Sequence, residues 1–387
     1  MSYRVLSRDE HFQAPGPKRI LALDGGGLRG ILSLGFLGRI EALLRDRHGG
    51  DSAFRLGHYF DLIAGTSTGA IIAAGLAKGM RVDEIVARYM SMANEVFEAD
   101  WFRKGIIRAR YDEHKLIDQL QSVLGRDTTL GSESLQTGLL LMSKRMDTGS
   151  PWPLGNNPRG KYFRAAADEG WIPNCDYPLW QVVRASTAAP TYFDPQEITI
   201  GEVAGREPVV GSFVDGAVSP FKNPSLQAFM YATLEGFHVK WPTGADQLQL
   251  VSVGTGYPDP SKTPAKLAAT GAVKAVLGLM DDCSTLVETV MQWMSSSPTA
   301  RTIDSEIGDL CDDLLASSPL LTYLRYDLAL TADAISPLKP DLRQKEIESL
   351  SAMDEPANLE TMKELGELAA SRQVHDEDFH HHFDLPS

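Results

Sequence analysis

The chain has 387 residues, 43% hydrophobic and 23% charged, an ordinary globular composition that excludes a disordered or fibrous protein. A formal net charge of −14 offers no general attraction to nucleic acid or anionic lipid, so a nucleic-acid polymer is not an expected partner and any lipid contact needs a local patch. Three scattered cysteines exclude a disulfide framework and fit a reducing cytoplasm, and no apolar run approaches the roughly 20 residues of a transmembrane helix.

Residues 1–17 are polar, end in APGP, lack the apolar core of a secretory signal and read as a flexible arm. RILAL (19–23) suits a buried parallel strand. From Gly30, apolar residues recur at helical spacing (Ile31, Leu34, Leu37, Ile40, Leu43, Leu44) until His48-Gly49-Gly50. YFDLIAG (59–65) reads as a second strand and GAIIAAGLAKG (69–79) as a second helix. This alternation predicts an α/β fold, a parallel sheet with helices on its faces. Further helices are expected at 82–97, 112–124, 177–189 and 224–236, and further strands at 135–146, 207–216, 247–256 and 320–330. PWPLGNNPRG (151–160) reads as a loop. The simplest division is the arm, one α/β domain over 18–335, and a helical extension with an acidic, His-rich tail over 336–387.

Two glycine-rich stretches carry the chemistry. In LDGGGLRG, residues Gly25, Gly27 and Gly30 satisfy G-x-G-x-x-G between a strand and a helix, the context of a dinucleotide site. That reading, an oxidoreductase, expects an acidic residue at the end of the next strand, whereas Glu41 and Asp46 fall on or just after the helix. The next strand runs instead into GTSTG, where Gly65, Ser67 and Gly69 form G-x-S-x-G between strand and helix, a nucleophile elbow. A serine attacking an ester creates an oxyanion, and amides of Gly26, Gly27 and Leu28 would receive it.

The serine needs a base. Between Ser67 and the tail the histidines are His114 and His238, and neither sits in a strand-end loop. Asp215, in FVDGAV at the end of an apolar strand, can act as the base of a two-residue dyad or simply close an Asp-Gly turn; spacing leaves both open.

Together, residues 24–30, 65–69 and 215–217 resemble the patatin-like phospholipases, whose D-G-G-G-x-R-G turn, G-x-S-x-G elbow and D-G-G/A motif occur in this order. RASTAAPTYF (184–193) and LVSVGTG (250–256) extend the likeness, which covers roughly 18–335. The resemblance implies a three-layer patatin-like fold with a mainly parallel central sheet and a helical C-terminal extension. It makes Ser67 the nucleophile and Asp215 the base. Gly25, Gly26, Gly27, Arg29 and Gly30 become the oxyanion-hole turn, and Gly65 and Gly69 the elbow glycines. The implied reaction is phospholipase A-type cleavage of membrane-lipid acyl esters through an acyl-Ser67 intermediate, with no metal and no cofactor. Ala70 and Ala217 stand where many members have glycine, and VSPFKNPS is longer than the usual spacing; neither departure removes a catalytic group.

Some bacterial members are antiphage effectors switched on by cyclic nucleotides. The resemblance therefore implies a candidate cyclic-nucleotide activator, and a cytoplasmic location peripheral to the inner membrane when active. WFRKGIIRARY (101–111) places Arg103, Lys104, Arg108 and Arg110 among apolar residues, a candidate headgroup or effector contact or a solvated face. TLVETVMQWM (285–294) reads as core, an acyl-channel lining or a homo-oligomer contact. His380, His381 and His382 read as a disordered tail or a metal-binding cluster.

Overall fold

Alternation along the first strand determines how the layers form. In a computed structural model describing residues 3–97, 113–164, 170–190, 192–202, 205–258 and 268–386, the elements run as follows. First come α1 (Arg8–Gln13), β1 (Lys18–Leu23), α2 (Gly30–Arg47), α3 (Leu56–Tyr59), β2 (Leu62–Thr66), α4 (Thr68–Ala77), α5 (Val82–Phe97) and α6 (Glu113–Leu124). Next are β3 (Gly138–Arg145), β4 (Pro151–Gly155), α7 (Leu179–Ser186), β5 (Gln196–Gly201), β6 (Val209–Asp215), α8 (Ser225–Thr233), β7 (Leu248–Val253), β8 (Tyr257–Pro258) and α9 (Ala268–Trp293). The chain closes with β9 (Thr322–Tyr326), β10 (Ala329–Leu330), α10 (Ala332–Ile335), α11 (Gln344–Ser349) and α12 (Leu359–Gln373). Leu21 and Leu23 enter one apolar cluster with α2, α4, α7 and α12, while Ile20 and Ala22 enter a second with α8 and α9. A buried strand of period two thus feeds a core on each face, and the result is three layers.

The sheet order is β5-β6-β3-β2-β1-β7-β9. Its centre is parallel (β3-β2-β1-β7-β9) and its β3-β6-β5 end antiparallel. The register at β3 decides the site. Met142 pairs with Thr66 of β2 and with Pro153 of β4, and Ser143 pairs with Asp215 of β6 and with Trp152 of β4. A strand has two edges, so β2 and β6 share one and β4 takes the other. Running in opposite directions along that shared edge, β2 and β6 bring their C-terminal ends together.

Several expectations need correction. Residues 151–155, expected as loop, form the edge strand β4; Pro151 and Pro153 alternate, which keeps their missing N–H groups off the paired edge. The stretch expected as a flexible arm contains a helix and buried side chains. Ser7 and Glu10 form a capping box that starts α1, Phe12 is buried, and His11 bonds Asp61 at 2.9 Å. The His-rich tail also packs: Phe379, Phe383 and Leu385 are buried, the Leu385 N–H donates to His48 Nε2 (2.9 Å), and His381 bonds Asp384 at 2.8 Å. In 285–294, Val287, Met291 and Met294 are core, whereas Leu286 and Trp293 are exposed. The extension joins the first cluster through α12, which crosses α2 where Gly35 meets Gly366; a Cβ on either would overlap the other helix's backbone. Among the described residues, no helix is long and apolar enough to cross a membrane.

Candidate active site

Between β2 and α4 the chain reverses within one residue. Ser67 takes φ 55° and ψ −125°, a region nearly reserved for glycine, so its side chain stands out of the sheet end. The reversal packs backbone on backbone: a Cβ at Gly65 would overlap the Gly69 carbonyl, and one at Gly69 the Leu23 carbonyl. Two glycines at minus two and plus two are the condition for the turn. The Ser67 N–H donates to Ser186 Oγ (2.9 Å), whose own hydroxyl donates to the Met142 carbonyl (2.5 Å). This strut ties the elbow to α7 and β3.

Asp215 arrives from β6, head-on to Ser67. The Ser67 hydroxyl donates to Asp215 Oδ2 at 2.6 Å, and the Ala217 N–H donates to Oδ1 at 2.8 Å. Burial pushes the Asp215 carboxyl up to about 6; the Ser67 and Ala217 hydrogen bonds and the Arg184 charge oppose that push. A carboxylate poised there is ionised at neutral pH yet basic enough to receive a proton in passing. His114 and His238 are exposed, His114 on α6 and His238 in a left-handed turn after α8.

The glycine turn lies against the elbow: a Cβ added to Gly25 would come to 3.0 Å from Ser67 Cβ. Its amides are not equivalent. The Gly25 N–H donates to the Lys222 carbonyl (3.0 Å), Leu28 to the Met353 carbonyl (2.8 Å), Arg29 to the Gly26 carbonyl (3.3 Å), and Gly30 back into the same short turn. The Gly26 N–H donates to Thr68 Oγ1 (3.3 Å), and the Gly27 N–H has no acceptor among the described residues. Of the expected set, the amides of Gly25, Leu28, Arg29 and Gly30 are engaged by backbone carbonyls and that of Gly26 by a side-chain hydroxyl, which leaves Gly27 as the amide without an acceptor among the described residues. The Arg29 side chain is buried rather than turned to an incoming anion. The same bonds remove the cradle that a dinucleotide diphosphate would need, and Glu41 accepts the Val82 N–H on α2 instead of standing at a strand end.

Sequence reasoning passed over several groups at this site. Ser186 lies inside RASTAAPTYF and Thr255 inside LVSVGTG, so the quoted segments contained the signal without the roles. The Tyr89 hydroxyl donates to the Gly27 carbonyl (2.7 Å), and the Met353 carbonyl comes from beyond residue 335, where no motif pointed. Arg103, Lys104, Arg108 and Arg110 lie outside the described residues.

A family model described as Patatin-like phospholipase matches residues 21–228, more than half of the chain. The chain is 29% identical over 181 residues to the "cGAMP-activated phospholipase" of Escherichia coli, covering 46% of this chain and 48% of that protein. It therefore spans about half the length of that relative. It is 27% identical over 272 residues to the "cGAMP-activated phospholipase" of Vibrio cholerae, covering 67% and 70%. To Patatin-16 of Solanum tuberosum it is 26% identical over 324 residues, covering 79% and 75%. With its elbow, its glycine turn and this match in sequence, the chain belongs to the patatin-like phospholipase family.

Proposed function

We propose that the chain is a phospholipase A-type acyl hydrolase of membrane lipids, with Ser67 as nucleophile and Asp215 as its base. The observation that carries this reading is the 2.6 Å hydrogen bond from Ser67 Oγ to Asp215 Oδ2, in which the carboxylate meets the hydroxyl directly. As Ser67 Oγ attacks the ester carbonyl carbon, its proton passes to Asp215. The charge that develops on the carbonyl oxygen is received by the Gly27 amide, by the Gly26 amide as it exchanges its bond to Thr68 Oγ1 for the oxyanion, and by the positive end of α4. Asp215 then gives the proton to the departing alcohol oxygen, leaving acyl-Ser67. Water, deprotonated by the same carboxylate, attacks the acyl carbon; the acyl–oxygen bond breaks, Asp215 returns the proton to Ser67 Oγ, and the fatty acid leaves.

A cyclic dinucleotide of the cGAMP type is the proposed activator, on the printed names of the Escherichia coli and Vibrio cholerae relatives. An antiphage role depends on that switch. The test incubates purified protein with phospholipid vesicles, with and without cGAMP, and measures released fatty acid. Hydrolysis that is lost in Ser67→Ala and rises with cGAMP is expected. Undiminished hydrolysis in Ser67→Ala refutes the nucleophile, and equal rates with and without cGAMP refute the activator.

A further inference from the structure

Beneath the glycine turn lies a buried charge network that the reaction scheme does not use. Asp24 immediately precedes Gly25, and its two carboxylate oxygens accept from Arg325 Nη1 (3.0 Å) and Nη2 (2.7 Å). Arg325 sits on β9, outside the stretch matched by the family model. Its Nη1 also donates to Ser252 Oγ on β7 (2.7 Å), and its Nη2 to Asp327 Oδ2 (2.8 Å). The other oxygen of Asp327 accepts the N–H groups of Gly256 (2.8 Å) and Leu328 (2.9 Å). That fixes the loop carrying Thr255, whose hydroxyl donates to the Gly25 carbonyl (3.3 Å) and whose side chain fills the space a Cβ on Gly26 would need.

The two carboxylates therefore grip the turn from two sides. Asp24 holds its entrance, and Asp327, through the 254–256 loop, holds its flank. One guanidinium joins them. Its side chain is 5% exposed, as is that of Asp24, and the pair is bidentate, the geometry in which a guanidinium fixes direction as well as distance.

We propose that Arg325 is a positioning residue for the oxyanion turn, setting the direction of the Gly26 and Gly27 amides by holding Asp24 and Asp327 together. The inference rests on the reading of Ser67 as nucleophile. Arg325 touches neither Ser67 nor the acyl group; it acts through the turn. Burial already pushes the Asp24 carboxyl up to about 6 with the guanidinium in place. Without it, two buried acids face each other under the site where negative charge must develop.

The experiment measures the rate constant for labelling of Ser67 by a small fluorophosphonate, together with the 31P resonance of the adduct, whose phosphonyl oxygen occupies the oxyanion position. Labelling in Arg325→Met is expected to slow about 100-fold, the effect of losing one oriented donor, with a shifted resonance. Arg325→Lys keeps the charge but not the fork, and about tenfold slowing is expected. Val287→Ala, a core truncation on α9, supplies the stability control and should label at the wild-type rate. If Arg325→Met does not fold, Arg325→Lys carries the test. Wild-type labelling and an unshifted resonance in the Arg325 variants overturn the proposal, as does slowing matched by Val287→Ala at equal thermal loss. Wild-type protein that labels at Ser67 but cleaves no lipid refutes the substrate class and leaves this inference standing. Wild-type protein that does not label at Ser67 overturns both.

Discussion

Asp215 is held ionised in a place that disfavours its charge, and Asp215→Asn should show how much stability that position costs. A rise of its carboxyl from 3.8 to about 6 corresponds to about 3 kcal/mol of bias against the ionised form in the folded state. Above pH 6 the carboxyl is ionised both folded and unfolded, so the whole penalty stands. Between pH 6 and 3.8 the folded protein holds a proton that the unfolded chain has released, and wild-type stability gains as pH falls. Below 3.8 both states are protonated and the penalty is gone. Asparagine titrates nowhere, can still accept the Ala217 N–H and can turn its amide to Ser67 Oγ. Asp24, also raised to about 6, is present in both proteins and cancels in the difference. Urea unfolding should therefore find Asp215→Asn more stable than wild type by up to about 3 kcal/mol at pH 8, the gap closing toward pH 4, with the denaturant slope unchanged. Ester hydrolysis by the same variant should fall by about 10²–10⁴-fold, the contribution of a positioned base. A gap of equal size at both pH values, or a wild type more stable than the variant at pH 8, would refute the burial argument.

If Asp215 is the base as proposed, its ionised form is the working one and kcat/KM in the wild type should rise with pH through an apparent value near 6; a profile flat from pH 5 to 8 contradicts it. Ser67→Gly should be inactive but about 1–3 kcal/mol more stable than Ser67→Ala, because glycine is at ease at φ 55° and ψ −125°; equal melting temperatures would show that the elbow holds no strain. Gly366→Ala should lose about 1–3 kcal/mol and expose the segment after residue 335 to protease, because its Cβ would meet the Leu32 backbone; an unchanged digestion pattern would deny α12 its bracing role.

Much of the site was legible because its parts are local. The strand before Asp24, the GTSTG reversal and the strand ending at Asp215 each declare themselves within ten residues through apolar periodicity and obligatory glycines. The alternation of strand and helix likewise identified the α/β class. Less was legible where pairing is distant. QEITIG, with Ile198 and Ile200 buried on alternate positions, is β5 although its short polar alternation gives little strand signal, and PWPLG is hidden by prolines that an edge tolerates. Polar termini looked mobile because a few apolar anchors, Phe12, Phe379 and Phe383, carry their docking.

By itself, then, the sequence determined the serine at a bend, the glycines that permit the bend, and a carboxylate candidate on a separate strand, because steric limits on the backbone act between near neighbours. Tertiary structure alone decided that β2 and β6 meet end to end on one edge of β3, which brings Ser67 and Asp215 within a hydrogen bond. It also decided which amide of the glycine turn, that of Gly27, has no acceptor among the described residues. An N–H is available only if nothing packed against it accepts its hydrogen, and the acceptors here, Lys222 and Met353, come from far along the chain.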